Sequence, residues 1–410
     1  MTRLGAPDMA TSSALSENPR ADASRPHLPR LPSVNTLVPP AAAHPDRILV
    51  VCLRRLGDVL LTTPLIRSLK QAYPQAAIDA LVLAPTAGVL AGNPDLRAVI
   101  AWQPRAPFAA QLRLARQLHN GYDLAVSATN SDRAHYSTWL AGRCHAAVAS
   151  EGMRWKRWLL DTLVIHDPAR LHAVVQGLLL ADALGVARVP TVVPPRPADT
   201  STLDAVLGSD WRLRPSAVIH PQAMYRYKAW TDGGWQALIR WLVGTGLRVI
   251  VSGGPAEHER AAIRALLDGL HLPEDSVVDV AGRLPFAALT PMIEAARLFV
   301  GPDTSVTHLA AACNTPTLAL FGPSSPVTWG PWPQGWDGAG DSPWRLNVPF
   351  QRVGNVGILQ GDQGRQLGCI PCLQEGCERH AASPSDCLDR LRPARVIAAA
   401  AQLLGVAAPA

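Results

Sequence analysis

Short apolar runs alternate with helical patterns along most of this chain. RILVVCL (residues 47–53) and AIDALVL (residues 77–83) are rich in aliphatic residues, as expected of strands covered on both faces. A helical pattern between them covers residues 60–73, with Pro64 in a first helical turn or at a kink. Two strands joined by a helix form a βαβ unit, so the pattern predicts an α/β fold with parallel sheets.

The alternation stops once, at the proline-dense stretch VPTVVPPRPADTS (residues 189–201), and then restarts. Such a stretch without periodicity is typical of an interdomain linker. We therefore predict two Rossmann-like domains, residues 45–198 and residues 199–410, whose parallel sheets face a central cleft. Ligands of these sheets bind beyond the carboxyl ends of the strands, which is where we expect functional residues.

Composition excludes several classes of protein. Residues 1–44 are rich in Pro, Ala, Ser and Thr, and lack both periodicity and the apolar segment of a signal peptide, which predicts a disordered leader. No apolar stretch is long enough for a transmembrane helix. The formal net charge of +6 over 410 residues is mild and does not indicate a nucleic-acid partner. We expect a cytoplasmic protein whose seven cysteines are mostly reduced.

One predicted strand end carries an unusual set of polar residues. Asp303, Thr304, Ser305 and His308 follow the apolar run RLFVG and open a short Ala-rich helix. The N–H groups that open a helix lack intrahelical partners and favour an anion such as phosphate. These four residues are therefore a predicted anion site, although Asp303 or Thr304 could instead only cap the helix, with His308 structural.

The segment RRLGD occupies the equivalent place in the first domain. Gly57 permits a close approach of the backbone, and Asp58 follows it at a helix entrance, where it could also be a simple cap. The chain has neither G-x-G-x-x-G nor G-x-x-x-x-G-K-[ST], which argues against a nicotinamide enzyme and a P-loop ATPase. An acidic residue facing an anion site suggests base-assisted transfer from a phosphorylated donor.

Two further strand ends of the second domain carry candidate ligand-binding residues. The loop IHPQAMYRYKAW offers Gln222, Arg226 and Lys228, which could face an anion or could be solvated loop residues. VSGGPAEHE contains Glu257, which could accept hydrogen bonds from a ribose or could be a favourable first-turn charge.

These stretches carry a family resemblance. RILVVCLRRLGDVLLTTPLIRSLKQAYP looks like the amino-terminal signature of family 9 glycosyltransferases, the lipopolysaccharide heptosyltransferases. VAGRLPFAALTPMIEAARLFVGPDTSVTHLAAACNTPTLALFGPSSPVTWGPW resembles their carboxyl-domain signature. The resemblance covers residues 47–404 and implies a GT-B fold, without a cofactor or catalytic metal. It also implies inverting transfer of heptose from ADP-heptose to the lipid A-linked inner core, at the cytoplasmic face of the inner membrane.

The resemblance also implies roles for individual residues. Asp58 matches the catalytic aspartate of the family's G-D pair, and Lys228 matches its phosphate-side lysine. Asp303, Thr304 and His308 match the donor-domain element D-[ST]-x-x-x-H. Glu257 matches the ribose-side glutamate, with Glu259 as a competitor. Gly57, Gln222 and Ser305 complete the predicted donor-binding set.

Other functions stay open at this point. A different nucleotide sugar could be the donor, the reaction could be a sugar-nucleotide epimerisation, or the protein could bind a nucleotide sugar without turnover. A carboxylate at Asp58 favours catalysis, because a silent binding protein needs no base beside the acceptor.

Four cysteines cluster near the carboxyl terminus, at Cys369, Cys372, Cys377 and Cys387. They could hold a structural zinc ion, or they could be reduced thiols in a loop or form one disulfide. A cysteine-rich segment here is similar to that of the branch that adds the third, side-branch heptose, heptosyltransferase III.

The segment RWKRW of the first domain interleaves Arg154, Lys156 and Arg157 with two tryptophans. Such a patch can hold acceptor phosphates or rest on an anionic membrane surface, and a solvated helix face is the alternative.

Overall fold

The computed structural model describes residues 33–34, 44–362 and 369–407, and it contains two seven-stranded sheets. The strands of the first sheet are β1 (Ser33–Val34), β2 (Arg47–Cys52), β3 (Ala77–Leu83), β4 (Ala98–Trp102), β5 (Tyr122–Ser127), β6 (Gly142–Ala149) and β7 (Thr162–Ile165). The strands of the second sheet are β8 (Ser216–Ile219), β9 (Arg248–Val251), β10 (Val277–Asp279), β11 (Leu298–Pro302), β12 (Thr317–Phe321), β13 (Phe350–Val353) and β14 (Val356–Gln360).

Helices connect these strands. The α-helices are α1 (Leu56–Leu61), α2 (Thr63–Ala72), α3 (Phe108–Leu118), α4 (Asp132–Ala141), α5 (Ala173–Ala183), α6 (Ser201–Leu207), α7 (Asp232–Gly244), α8 (Glu257–Leu267), α9 (Leu289–Glu294), α10 (Ser305–Ala312), α11 (Pro326–Trp329), α12 (Asp386–Asp389) and α13 (Pro393–Leu404). Short 3₁₀ helices cover Ala84–Leu90, Glu151–Trp158, Arg226–Lys228 and Phe286–Ala288.

Both sheets have the same doubly wound order. The first runs β1-β7-β6-β5-β2-β3-β4 and the second runs β10-β9-β8-β11-β12-β14-β13, with only β1 and β13 antiparallel to their neighbours. The strand order reverses between β2 and β5 in the first sheet and between β8 and β11 in the second. Ligands bind at such switch points, so the loops after these strands are the places to look for a site. The predicted α/β fold with two Rossmann-like domains is confirmed.

Burial explains why these strands are continuous apolar runs. Every residue of β11 and β12 is buried, as is every residue of β2 after Arg47. Parallel strands covered by helices on both faces need side chains of this kind. One buried hydrophobic cluster extends from Val59 of α1 to Val306 of α10, so the cores of the two domains are continuous.

The single helix predicted for residues 60–73 is two helices, and it begins earlier than expected. Thr62 separates α1 from α2, and Pro64 lies in the first turn of α2, where its missing N–H has no cost. The Thr63 hydroxyl donates a hydrogen bond to the Leu60 carbonyl at 2.7 Å. Because α1 begins at Leu56, Asp58 lies in a helical turn and not in a loop.

A short part of the predicted leader forms a strand, and several other residues lie outside the described ranges. Ser33 and Val34, which belong to the predicted disordered leader, form strand β1 against β7. The other leader residues before His44, and residues 363–368 and 408–410 of the predicted second domain, lie outside the described residues. The predicted domain boundary near residue 198 stays a prediction.

The proline-dense segment is extended and bound to its surroundings. Its Val193 N–H donates to the Thr63 hydroxyl at 2.9 Å, and its Arg196 N–H donates to the Ala91 carbonyl at 2.8 Å. From the second domain, the Trp332 indole N–H donates to the Pro190 carbonyl at 2.7 Å. The segment is therefore tied to both domains and is not a free tether.

Candidate active site

The openings of α1 and α10 face each other across the cleft between the domains. Each helix follows a strand at a switch point, β2 for α1 and β11 for α10. Gly57 lies at the contact, and a Cβ atom placed on it would be 3.4 Å from His308 Cδ2 and 3.8 Å from the Ser305 Cα. Gly57 therefore lies within van der Waals range of the first turn of α10.

Asp58 lies in the first turn of α1 and is half-buried. Its Oδ1 is 3.4 Å from the Nε of Arg54. The cap position of α1 belongs to Arg55, which forms no side-chain cap hydrogen bond. The alternative in which Asp58 only caps the helix is therefore not the observed arrangement, and its carboxylate is placed at the cleft.

Lys228 and Asp303 form an ion pair on the other side of the cleft. The Lys228 Nζ is 2.5 Å from the Asp303 Oδ2, and the Asp303 side chain is 8% exposed. Burial opposes ionisation of Asp303, but Lys228, His308 and a hydrogen bond from Ser324 outweigh it and lower the pKa of this carboxyl. Burial likewise disfavours the Lys228 ammonium, yet Asp303 raises its pKa. Both groups are charged at neutral pH.

The opening of α10 keeps its first N–H groups available. Thr304 occupies the cap position but forms no side-chain cap hydrogen bond, and its hydroxyl is 3.2 Å from that of Thr307. The N–H groups that follow have no partner within the helix. Together with the half-buried Ser305 hydroxyl they form a cluster of hydrogen-bond donors beside Lys228.

His308 is buried at the contact between α10 and α1. Burial is the main cause that lowers the pKa of His308, Lys228 acts in the same direction, and Asp303 and Asp58 oppose it. The imidazole is therefore neutral at pH 7. Its Nδ1 is buried and has no hydrogen-bond partner among the described residues.

The remaining residues that were predicted to bind the nucleotide-sugar donor differ in their surroundings. Gln222 is half-buried in the loop after β8. Glu257 is exposed, and Arg264 donates a hydrogen bond to it at 2.6 Å; this bond and the charges of Arg260 and Arg264 lower its pKa. Its competitor Glu259 instead accepts a hydrogen bond from the Gly254 N–H at 2.7 Å and so holds the glycine turn.

Two findings on known proteins decide the family. The profile of glycosyltransferase family 9 (heptosyltransferase) matches residues 111–338, more than half of the chain. Lipopolysaccharide heptosyltransferase 3 of Escherichia coli K12 is 30% identical over 300 residues, which cover 68% of this chain and 83% of that protein.

The chain belongs to glycosyltransferase family 9.

Solved structures agree with this membership at the level of the fold. A family 9 glycosyltransferase from Veillonella parvula superposes with a TM-score of 0.69 at 17% identity, covering 88% of this chain and 98% of that one. The ADP-heptose lipopolysaccharide heptosyltransferase II of Escherichia coli superposes with a TM-score of 0.65 at 21% identity, covering 87% and 98%. This family 9 glycosyltransferase therefore has the predicted GT-B fold. In the described part of the chain, no helix is both long and apolar enough to cross a bilayer.

The RWKRW segment of this glycosyltransferase lies in the 3₁₀ helix Glu151–Trp158. Lys156 is fully buried, and its Nζ donates to Asp132 and lies 2.9 Å from the His135 Nδ1. This buried pairing argues against the predicted contact between Lys156 and the acceptor. The side chains of Arg154 and Arg157, predicted with it, lie outside the described residues.

The cysteine cluster of this glycosyltransferase shows mixed exposure. Cys369 and Cys372 are half-buried, Cys377 is exposed and Cys387 is buried. Within the described residues, no group of three or more His, Cys, Asp or Glu side chains is placed to hold a metal ion. The structure therefore gives no support to the zinc alternative for these cysteines.

Some residues of the site were not found from the sequence. Ser324 donates to Asp303, and its place in the loop that follows the buried strand β12 was the available signal. Tyr225 receives a hydrogen bond from Arg55 of the opposite domain, and no pattern in either segment indicates this pairing. Conversely, Arg226 was a candidate for the ligand but donates to Asp389 at 2.7 Å instead.

Proposed function

We propose that this glycosyltransferase transfers heptose from ADP-heptose to the inner core of lipopolysaccharide, with inversion at the anomeric carbon. The observation that carries the proposal is the placement of Asp58 across the cleft from Lys228, Asp303 and His308. A carboxylate and an anion site on opposite sides of one cleft suit a base-assisted attack on a phosphorylated donor. The names of the relatives, lipopolysaccharide heptosyltransferases 3 and II, support the donor and the acceptor class.

The second domain is proposed to bind the donor. The Lys228 ammonium and the first N–H groups of α10 are suited to the diphosphate, with Gln222 and Ser305 as further polar contacts. Asp303 keeps the Lys228 side chain in place through their ion pair. Glu257 is suited to the ribose hydroxyl groups, because a carboxylate accepts hydrogen bonds from both.

The first domain is proposed to bind the acceptor and to activate it. Asp58 takes the proton of the acceptor hydroxyl while its oxygen bonds to the anomeric carbon and the bond to the diphosphate breaks. The electron pair of that bond leaves with ADP, whose growing charge Lys228 and α10 stabilise. Attack from the face opposite the leaving group inverts the anomeric configuration.

We further propose that the protein works at the cytoplasmic face of the inner membrane, because its acceptor is anchored there by lipid A. Trp155 and Trp158 of the first domain are 52% and 73% exposed, which is unusual for tryptophan and typical of membrane-interface positions. Co-sedimentation with vesicles containing anionic phospholipid tests this, and no binding by the wild-type protein would contradict it.

The transfer is tested with purified protein and a panel of nucleotide sugars that includes ADP-heptose. Of the nucleotide sugars in the panel, we expect only ADP-heptose to give ADP and a heptosylated core product. NMR should show that the transferred heptose has the anomeric configuration opposite to that of the donor. Turnover of a different nucleotide sugar, an epimerised donor without acceptor, or binding without turnover would each replace the proposal with one of the alternatives.

A further inference from the structure

Lys228 lies in a single turn of 3₁₀ helix, which has few hydrogen bonds of its own. The Lys228 N–H donates to the Tyr225 carbonyl at 3.0 Å, and the Ala229 N–H donates to the Arg226 carbonyl at 3.0 Å. An isolated turn of this kind is marginal in water, because so few hydrogen bonds hardly offset the cost of ordering its backbone. The position of the Lys228 ammonium therefore depends on contacts with other parts of the chain.

These contacts come from the cysteine-rich segment, residues 369–391, and in particular from its short helix α12. The Ser385 hydroxyl donates to the Tyr227 carbonyl at 2.7 Å, and Ser385 is fully buried. Asp389, the last residue of α12, accepts a hydrogen bond from Arg226 Nη2 at 2.7 Å. Both residues that directly precede the lysine are thus anchored to this distant segment.

The Ser385 side chain does not perform the local role that its position suggests. Ser385 occupies the cap position of α12, where a serine hydroxyl commonly accepts a hydrogen bond from an N–H of the first helical turn. The side chain forms no such cap bond, and its hydroxyl donates to the Tyr227 carbonyl instead. Loss of the donor to a buried carbonyl is unfavourable, so this bond fixes the backbone of the turn beside Lys228.

The cysteine-rich segment also holds a second loop that reaches the ion pair. The Leu373 N–H donates to the Pro323 carbonyl at 2.9 Å. The next residue in that loop, Ser324, donates to Asp303. Asp303 is therefore contacted by Lys228 and by Ser324, which come from two loops attached to the same segment.

We propose that Ser385 and Asp389 are positioning residues, which hold the Lys228 ammonium at the diphosphate of the donor. They act through the backbone of the turn and need not touch the ligand. Ser385 has the larger effect, because its hydrogen bond is buried. The Arg226 and Asp389 side chains are 43% and 27% exposed, and solvent weakens their ion pair. The identity of the ligand as the donor rests on the proposed function, whereas the attachment of the turn to α12 does not.

The binding test compares Ser385→Ala and Asp389→Asn with the wild-type protein. We expect Ser385→Ala to weaken ADP binding, measured by calorimetry, and to lower kcat/KM for the donor about three- to tenfold, because the lysine is no longer held in place. The KM for the acceptor should stay near wild type. Asp389→Asn should cause a smaller loss of ADP affinity, at most about threefold.

Ser383→Ala is the matched control. Ser383 lies in the same segment and is also fully buried, but its hydroxyl donates to the Pro384 carbonyl at 2.9 Å and accepts from the Glu378 N–H at 2.8 Å, both within the segment. Its ADP affinity should equal that of the wild type. An equal loss of ADP affinity in Ser383→Ala and Ser385→Ala would overturn a specific role for Ser385.

A double-mutant cycle tests whether Ser385 acts through the lysine. If it positions the ammonium, adding Ser385→Ala to Lys228→Ala should cause no further loss of ADP affinity, because the positioned group is already absent. A general disturbance of the domain would instead weaken ADP binding by the same factor in both backgrounds, and that result would overturn the proposal.

Hydrogen exchange of the protein without nucleotide separates this proposal from the proposed function. The amides of residues 226–229 are followed by mass spectrometry in the wild type, Ser385→Ala and Ser383→Ala. Faster exchange in Ser385→Ala alone supports the anchoring, even if the wild type binds no ADP and the proposed donor is wrong. Exchange in Ser385→Ala as slow as in the wild type would contradict the anchoring.

Discussion

Arg55 and Tyr225 join the two domains across the cleft. The Arg55 guanidinium donates to the Tyr225 hydroxyl, and its Cζ lies 5.2 Å from the centroid of the Tyr225 ring. Tyr225 in turn stacks on Tyr227, with ring centroids 5.2 Å apart and an interplanar angle of 5°. Arg55 precedes α1 with its Asp58, and Tyr225 precedes Lys228, so this contact connects the two sides of the proposed reaction centre.

Tyr225→Phe tests that connection because it removes the hydroxyl and keeps the stacked ring. A hydrogen bond to a charged group stabilises a structure by about 1.5 kcal/mol, and by somewhat less when it is exposed. Loss of the bond between Arg55 and the Tyr225 hydroxyl should therefore lower kcat/KM about three- to tenfold. The free energy of unfolding should change little. Tyr136→Phe, at an exposed position of α4, is the control, and an equal loss in both variants would refute a specific role for Tyr225.

Asp58→Asn tests the proposed base. The amide keeps the shape of the side chain but cannot take the acceptor proton, and base catalysis contributes roughly 10²–10⁴-fold. We expect kcat to fall by about that factor while the affinity for the donor, measured by calorimetry, stays near wild type. An Asp58→Asn protein with unchanged turnover would remove this residue from the mechanism.

Lys228→Ala tests the stabilisation of the leaving group. A charge-assisted hydrogen bond contributes about 1.5–3 kcal/mol, so transfer should slow by roughly ten- to a hundredfold, and ADP should bind more weakly. Lys70→Ala is the control, because Lys70 lies in the last turn of α2 and donates to the Pro74 carbonyl at 2.9 Å. If Lys228 and α10 supply the positive charge, the reaction should survive EDTA; activity lost on chelation and restored by Mg²⁺ would contradict this assignment.

His172 predicts an acid-sensitive stability. Burial lowers the pKa of His172 to about 3 and outweighs the hydrogen bond that its Nε2 donates to the Gly330 carbonyl at 2.7 Å, so the imidazole is neutral at pH 7. The unfolded chain binds a proton near the ordinary pKa of about 6.5, so the free energy of unfolding should fall as the pH drops below that value. The loss from this residue is at most about 1.4 kcal/mol per pH unit.

Urea unfolding of His172→Gln between pH 7 and pH 5 measures this contribution. The variant should show a shallower fall in the free energy of unfolding than the wild type, whatever its stability at pH 7. His258→Gln, at an exposed position of α8, should keep the wild-type slope. Identical slopes in all three proteins would show that His172 does not carry the effect.

The cysteine cluster predicts an order of alkylation. Cys377 is exposed and should react first with iodoacetamide, followed by the half-buried Cys369 and Cys372, with the buried Cys387 last. Because no group of three or more described His, Cys, Asp or Glu side chains is placed to hold a metal ion, elemental analysis should find no stoichiometric metal. About one equivalent of zinc, with all four cysteines protected, would instead restore the zinc alternative.

The strand ends that carry the site could be read from the sequence. Asp58 and Asp303 each follow a run of apolar residues that only a covered parallel strand accommodates, and each precedes a helical pattern. The periodicity of the sequence predicts both the strand before each aspartate and the helix after it. Ligand sites of a parallel sheet lie at the carboxyl ends of its strands, which is where this order of elements places the two residues. The strands β6 and β7 were not predicted, because β7 has only four residues and the polar residues Arg143 and His145 interrupt the apolar pattern of β6.

Long-range pairings could not be read in this way. Lys156 looked like an exposed cation in a basic patch, but a helix from an earlier part of the chain supplies the Asp132 and His135 that bury it. Likewise, Arg105 follows β4 and Arg133 lies in the first turn of α4, and they line one depression only in the folded chain. Neither pairing has a local sequence signal, because each depends on the packing of distant segments.

The hydrogen bonds of the proline-dense segment, residues 189–201, affect how chimeras of two family members can be built. A chimera that takes its second half from a relative retains Val193 and Arg196, which donate to Thr63 and Ala91, if the junction lies after Arg196. Even then, the incoming half must present a donor to the Pro190 carbonyl, as Trp332 does here, and an acid to Arg196, as Glu294 does. A chimera whose incoming half lacks either group should therefore be less stable than one that keeps both.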